Sequence, residues 1–320
     1  MRKKELMIKK LFIIGNGFDC YGHGLPTKYS DFRKYLINEY PNYNYDFDGI
    51  LEPVFMPDGD EQYDNDEIVG SIISLMDNCV GEEWNDLESS SGTVYVNSIL
   101  EKNEGYINEV DWDDEDNDIR HTVYSNEDVS NSIAGGFIQL KKYFEDWAFD
   151  ELTNLDFSNV KKLKKPSFKN SFFLNFNYTN TLEELYHVPE QNVCHIHGYV
   201  NNKDSDILFG HGEDENVEDF GNYLGVEDAF NSLLQGLRKD TNAAIKRNAL
   251  FWKKLKGVTK IYSYGFSFSN VDMCYIDEIS KQVNPNKVRW YFNSFDWKNN
   301  KANIEKIRSR GYKIRRCFRW

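Results

Sequence analysis

The run Lys10-Leu-Phe-Ile-Ile-Gly-Asn-Gly-Phe-Asp19 constrains this chain more than any other stretch. Leu11 to Ile14 are uninterrupted apolar residues, and glycine bounds them. A strand covered on both faces does not alternate, so this is the pattern of a buried parallel strand. Gly15 and Gly17 then mark a sharp turn or a close approach of backbone to a ligand. Asn16, Phe18 and Asp19 share that turn at the carboxyl end of the strand, where open α/β sheets bind their ligands. A bare Gly-x-Gly is equally a strand-to-helix turn with no ligand, and the third glycine of the dinucleotide fingerprint is missing.

Further strands are expected at Ser171–Phe176, Asn192–His197, Ile207–Phe209, Thr259–Tyr264 and Lys287–Phe292. Helical spacing marks segments from Asp31 to Tyr40, Ile68 to Met76, Ile133 to Leu152, 226–256, Val271 to Gln282 and Asn300 to Arg310. Trp84–Glu88 suggests another helix. Strand and helix alternate at both ends of the chain, which predicts an α/β fold with a mostly parallel, Rossmann-like sheet. Between the ends, residues 42–131 hold 25 Asp and Glu against 2 Lys and Arg. The reading is one domain over 1–320 with an acidic, partly helical insertion at about 42–160. Within it, the run Asp111–Asp118 lacks the glycine and terminal glutamate of an EF-hand loop and reads as solvated.

A net charge of −14 argues against indiscriminate binding to nucleic acid or anionic membrane. From Arg238 to Trp320, however, 20 basic residues face 6 acidic ones. Acidic and basic segments of this size raise head-to-tail homo-oligomers or an intramolecular clamp, alongside two independently solvated faces. The 5 cysteines form no Cys-x-x-Cys pair, so neither a zinc ribbon nor a disulfide framework is expected. No signal peptide or membrane span is visible, and a cytoplasmic location is expected.

Polar clusters follow three predicted strands: Asn175–Thr181, His195–Gly198 and Gly265–Asp272. In a doubly wound sheet these ends share one edge and can converge with Gly15–Asp19. Each also has a plainer reading, since Asn, Thr and Ser favour helix caps and Asp272 suits a helix amino terminus. If 192–199 were extended, His195, His197 and Tyr199 would share a face. The His-x-His spacing also fits a metal pair, with His211, Glu213 or Asp214 as third ligand.

Together these motifs resemble the AbiH family of bacterial phage abortive-infection proteins. The resemblance is carried by Leu11–Asp19, His23–Phe32, Phe176–Glu183, His195–Gly198, Phe209–Gly212 and Tyr264–Asp272, with Trp84–Glu88 as a short further match. That family is in turn distantly similar to the SIR2-like fold of NAD-consuming enzymes. The resemblance implies a glycine loop at Gly15 and Gly17, followed by Gly24-Leu25-Pro26, with Asn177 and His197 as catalytic residues. Asn16 departs from the alanine of that loop, and the zinc-binding cysteines of deacetylating sirtuins are absent.

The implied activity is hydrolysis of NAD, as substrate, at the nicotinamide–ribose bond, with no metal. Diphosphate would sit on backbone N–H groups of the glycine turn and a helix amino terminus. Gly15, Asn16, Gly17, Phe18, Asp19, Gly265, Ser267 and Asp272 would hold the nucleotide, with Asp272 on the adenosine ribose. Two alternatives stay open: a metal-dependent nuclease or phosphohydrolase using His195, His197 and His211, and a non-catalytic nucleotide sensor acting through a partner. A phage-derived trigger is the expected partner, with no membrane involved.

Overall fold

The computed structural model describes residues 9–47, 49–59, 61–79, 92–110, 119–164, 166–202, 204–212, 217 and 220–318. They divide into two compact units, one of 1–28, 148–208 and 240–320 and one of 29–147 and 209–239. The first carries a six-stranded sheet. Its strands are β1 (Lys9–Ile14), β2 (Ser171–Asn175), β3 (Val193–His195), β4 (Val258–Tyr264), β5 (Arg289–Phe292) and β6 (Lys313–Arg316). All pair in parallel, in the spatial order β3-β2-β1-β4-β5-β6. This is the Rossmann-like order, and its direction reverses between β1 and β4.

The apolar run in β1 is explained by what lies on each side of the sheet. Leu11 and Ile13 enter one hydrophobic cluster with Leu174, Ile261 and Trp290, whereas Phe12 and Ile14 enter another with Phe173 and Tyr262. Successive strand side chains point to opposite faces, so β1 has a core on both. On the second face Phe12 stacks between Phe173 at 5.1 Å and Tyr262 at 4.9 Å, and Tyr262 stacks on Tyr291 at 4.6 Å. This aromatic row crosses four adjacent strands, β2, β1, β4 and β5, at matching register. Each contact adds roughly 0.5–1.5 kcal/mol beyond area burial.

One expected strand is corrected, and one strand was not expected. Ile207–Phe209 forms no strand; Ile207 and Phe209 are buried, and the Leu208 N–H donates to the His197 carbonyl at 2.7 Å. A short apolar run does not distinguish a strand from a buried loop. Conversely, β6 has one apolar residue, Ile314, in Lys313-Ile-Arg-Arg316, and no hydrophobic pattern announces it. It is the outer strand of the described sheet, bonded along one side only, so a single inward residue suffices.

Three helices of this unit position the site: α1 (Asn16–His23), α2 (Thr181–Tyr186) and α3 (Met273–Gln282). The helix expected to start at Val271 begins at Met273, leaving Asp272 at its N-cap position. The 226–256 stretch resolves into helices Glu227–Gly236, Thr241–Arg247 and Ala249–Lys254, the second capped by Asp240.

The second unit is largely helical, with Asn65–Cys79, Ile119–Phe137 and Leu140–Trp147 among its helices. The helix expected over Ile133–Leu152 is instead broken near Gly135 and Gly136, where Tyr63 and Leu51 press against the backbone. Phe144 stacks on Phe209 at 4.2 Å and meets Phe32 edge-on at 5.3 Å, forming an aromatic core of its own. The residues expected as an insertion lie mostly in this unit, which begins earlier, at Tyr29, and takes in a later segment. Trp84–Glu88 and Asp111–Asp118 lie outside the described residues. Among the described residues no helix is long and apolar enough to cross a membrane.

Candidate functional site

At the point where strand order reverses, the turn after β1 crosses the turn after β4 in direct backbone contact. The Gly15 N–H donates to the Tyr264 carbonyl at 3.0 Å, and the Gly17 N–H donates to the Gly265 carbonyl at 3.1 Å. A Cβ on Gly15 would stand 2.4 Å from the Gly265 oxygen; one on Gly265 would stand 2.3 Å from the Phe18 nitrogen. The glycines are therefore required by backbone meeting backbone. Of the backbone expected to cradle a diphosphate, the N–H groups of Gly15, Gly17 and Phe18 already donate to protein carbonyls.

Asn16 also has a local task. Its amide donates to the Thr27 carbonyl at 2.8 Å, and the Thr27 hydroxyl donates to Asn16 Oδ1 at 2.7 Å. This reciprocal pair pins the Gly24-Leu-Pro-Thr27 loop to the start of α1, a bond that alanine could not make. Phe18 is buried, with His23 edge-on at 4.5 Å. Of the residues expected at this turn, Asp19 joins the clusters that follow.

Asp19 is fully buried, and its Oδ2 accepts from the Thr179 hydroxyl at 2.5 Å. The Thr179 and Thr181 hydroxyls share a hydrogen bond of 2.9 Å, so both threonines turn toward the carboxylate. They do not cap α2: its N-cap is Asn180, which makes no side-chain capping bond. Burial pushes the Asp19 pKa up to about 6, partly offset by Thr179, Thr181, Asn177 and the nearby His195. Asn177 is buried, and although its amide is near enough to ease the Asp19 charge, neither polar atom completes a hydrogen bond. His195 closes the cluster, with Nε2 at 3.1 Å from Glu183 Oε1 and Nδ1 at 3.2 Å from the Asn177 carbonyl.

The raised Asp19 pKa has a measurable sign. A carboxyl whose folded pKa exceeds its unfolded value destabilises the fold when ionised, so this contribution worsens as pH rises from about 4 to about 6. Asp19→Asn should therefore be more stable than wild type at pH 8 by up to about 3 kcal/mol, with the difference disappearing near pH 4. Urea midpoints at the two pH values test this. A pH-independent difference would show that the Asp19 charge is not the cause.

A second cluster forms where β3 and β4 end. Strand β3 stops at His195, and the chain turns through His197 to Gly198, which has φ +106. A Cβ on Gly198 would meet the Asp206 oxygen at 2.4 Å, which accounts for glycine after this histidine. The turn separates the two histidines, correcting the shared face expected of an extended segment. His195 stacks on Tyr199 at 4.1 Å and faces Glu183, whereas His197 Nε2 lies 3.2 Å from Asp272 Oδ1. The His197–Asp272 alignment falls short of a hydrogen bond despite the short distance. His197 is only 2% exposed, with Phe176 edge-on at 4.9 Å.

Asp272 is held by the Ser269 hydroxyl, which donates to its Oδ2 at 3.1 Å. The loop carrying it includes Phe268, a non-glycine residue at φ +59, a conformation that stores on the order of 1–3 kcal/mol. Lys306 Nζ donates to the Phe268 carbonyl at 2.9 Å and Asn303 to the Ser267 carbonyl at 3.0 Å. Ser267 thus contributes its carbonyl to fixing the loop, and Asp272, expected on an adenosine ribose, stands beside His197. His197 makes no hydrogen bond to Asn177, whose amide has none.

Among the described residues no three His, Cys, Asp or Glu come together as metal ligands. His211 belongs to the second unit, where its Nε2 is 2.9 Å from the Leu234 carbonyl, and Glu213 and Asp214 lie outside the described residues. Neither Cys20 nor Cys194 is an activated nucleophile: burial pushes Cys20 up to about 11 and Cys194 to about 12. Sequence reasoning missed Glu183 and Thr179 as site residues because both fit a helix start equally well. Glu183 falls 12 residues before His195, and nothing in that spacing announces their contact.

A family model described as Bacteriophage abortive infection AbiH matches residues 11–294. The chain belongs to the AbiH family. The matched range contains every residue of both clusters, from Asp19 to Asp272, and membership gives this AbiH chain an abortive-infection role against phage. No curated protein and no solved structure matches it.

Proposed function

We propose that this AbiH protein hydrolyses NAD at the nicotinamide–ribose bond, on a SIR2-like variant of the Rossmann-like fold, and halts the infected cell by depleting the cofactor. The observation that carries the reading is the buried His197–Asp272 pair at the carboxyl edge of the parallel sheet, 3.2 Å apart. Nicotinamide leaves as a neutral molecule from a pyridinium that is already cationic, so the leaving group requires no proton. The chemistry requires a base for the attacking water and stabilisation of an oxocarbenium-like centre. His197 supplies the base, and Asp272 orients its ring and stabilises the imidazolium that forms. Asn177, whose amide completes no hydrogen bond among the described residues, orients the ribose or the water.

Incubating purified protein with NAD should release nicotinamide and ADP-ribose in equal amounts, unaffected by a chelator. Intact NAD together with nucleic-acid cleavage dependent on Mn²⁺ or Zn²⁺ would replace this reading with the metallohydrolase. Nucleotide binding without turnover would replace it with the sensor.

A further inference from the structure

We infer that Asp19, Asn177 and Glu183 form a subsite for a pair of vicinal sugar hydroxyls, bordered by His195. The residues form one connected group. Asp19 is bonded to Thr179, the Asn177 amide is close to Asp19, the Asn177 carbonyl meets His195, and His195 meets Glu183. Within it, Asp19 Oδ1, Glu183 Oε2 and both polar atoms of the Asn177 amide are buried without a hydrogen-bond partner among the described residues. Leaving such a group unsatisfied costs roughly 1–3 kcal/mol, so several in one place mark where a ligand belongs.

The chemistry of that ligand follows from the inventory. Three of the four atoms are acceptors and one, Asn177 Nδ2, is a donor. An apolar group would satisfy none of them. An ammonium group would serve the acceptors but leave Nδ2 unpaired, since it has no lone pair to offer. A metal ion lacks its ligand set among the described residues. Adjacent hydroxyls satisfy the set, each O–H donating to a carboxylate or amide oxygen while a hydroxyl oxygen accepts from Nδ2. The choice of a ribose among vicinal diols rests on the NAD reading above.

The test measures equilibrium binding of ADP-ribose and of the ribonucleoside monophosphates, each paired with its deoxyribose counterpart. The proteins are wild type, Asp19→Asn and Glu183→Gln, with NAD cleavage followed in parallel. Wild type should prefer each ribose form by about 10–100-fold, the range of a hydrogen bond to a charged group. In Asp19→Asn, whose amide oxygen still accepts from Thr179, the preference should shrink below roughly threefold, and Glu183→Gln should reduce it as well. Equal affinity for the paired sugars, or a preference untouched in Asp19→Asn, overturns the subsite even if NAD is cleaved. A preference among the monophosphates with NAD left intact upholds the subsite and removes the NAD reading. Failure of every probe to bind at millimolar concentration overturns the subsite.

Discussion

His197→Ala should lower NAD cleavage by about 10²–10⁴-fold, the usual loss on removing a positioned base, while nucleotide binding persists. Its Nε2 is buried 3.2 Å from Asp272 Oδ1, so the carboxylate faces one ring nitrogen and leaves the other for the base. His195 differs, since both of its ring nitrogens face acceptors, Glu183 and the Asn177 carbonyl. His195→Ala should therefore cost less in turnover than His197→Ala and more in stability. Asp272→Asn separates positioning from packing: it should lower kcat with little change in KM and move the acid limb of the pH–rate profile. Unimpaired cleavage by folded His197→Ala protein sinks the mechanism. Equal losses from His195→Ala and His197→Ala, both restored by added metal, would move the assignment to a metallohydrolase.

Gly265→Ala should leave little folded protein. Its backbone sits at φ +63, and the added methyl would stand 2.3 Å from the Phe18 nitrogen and 2.5 Å from the Gly17 carbonyl carbon. These are main-chain atoms in hydrogen-bonded turns, so no side chain can swing away to relieve the overlap. A left-handed backbone and an overpacked contact together cost on the order of 4 kcal/mol or more, against the roughly 5–15 kcal/mol that holds a typical domain folded. Gly22→Ala is the control, because its nearest neighbour is a flexible Leu163 methyl at 3.0 Å and alanine favours the helix. Thermal midpoints and soluble yield read both; a midpoint for Gly265→Ala within a few degrees of wild type would mean the crossing can relax.

The sequence revealed those parts of the fold that depend on local pattern. The apolar runs Leu11–Ile14 in β1, Phe172–Leu174 in β2 and Trp290–Phe292 in β5 are recognisable because a strand with a core on both faces carries apolar residues at successive positions, and β4 shows a shorter pair, Ile261 and Tyr262. Strand β6 escaped because a strand with a neighbour on one side needs little apolar character. At the site, the polar clusters at strand ends were legible as clusters, and the family resemblance singled out Asn177 and His197. Their pairings were not legible. Asp272 reads as a helix-start residue, and only the folded sheet brings its loop beside the turn that follows β3. Glu183 was hidden in the same way, since an acidic residue in a helix's first turn has a sufficient electrostatic reason to be there. The glycine loop was found for a partly mistaken reason: the close approach it permits is to the protein's own backbone.

That backbone crossing has a consequence for how such a protein can change. The join between β1 and β4, where the two halves of the sheet meet, is reinforced by main-chain atoms of Gly15, Gly17, Tyr264 and Gly265, not by the side chains of the two polar clusters. The latch and the polar clusters are thereby built from different atoms. A lineage, or a mutagenesis library, can exchange Asp19, Asn177, Glu183 or His195 for other polar residues without touching the atoms of this latch. The glycines have no such latitude, so substitutions at the latch are filtered by folding before any change in the neighbouring clusters can matter.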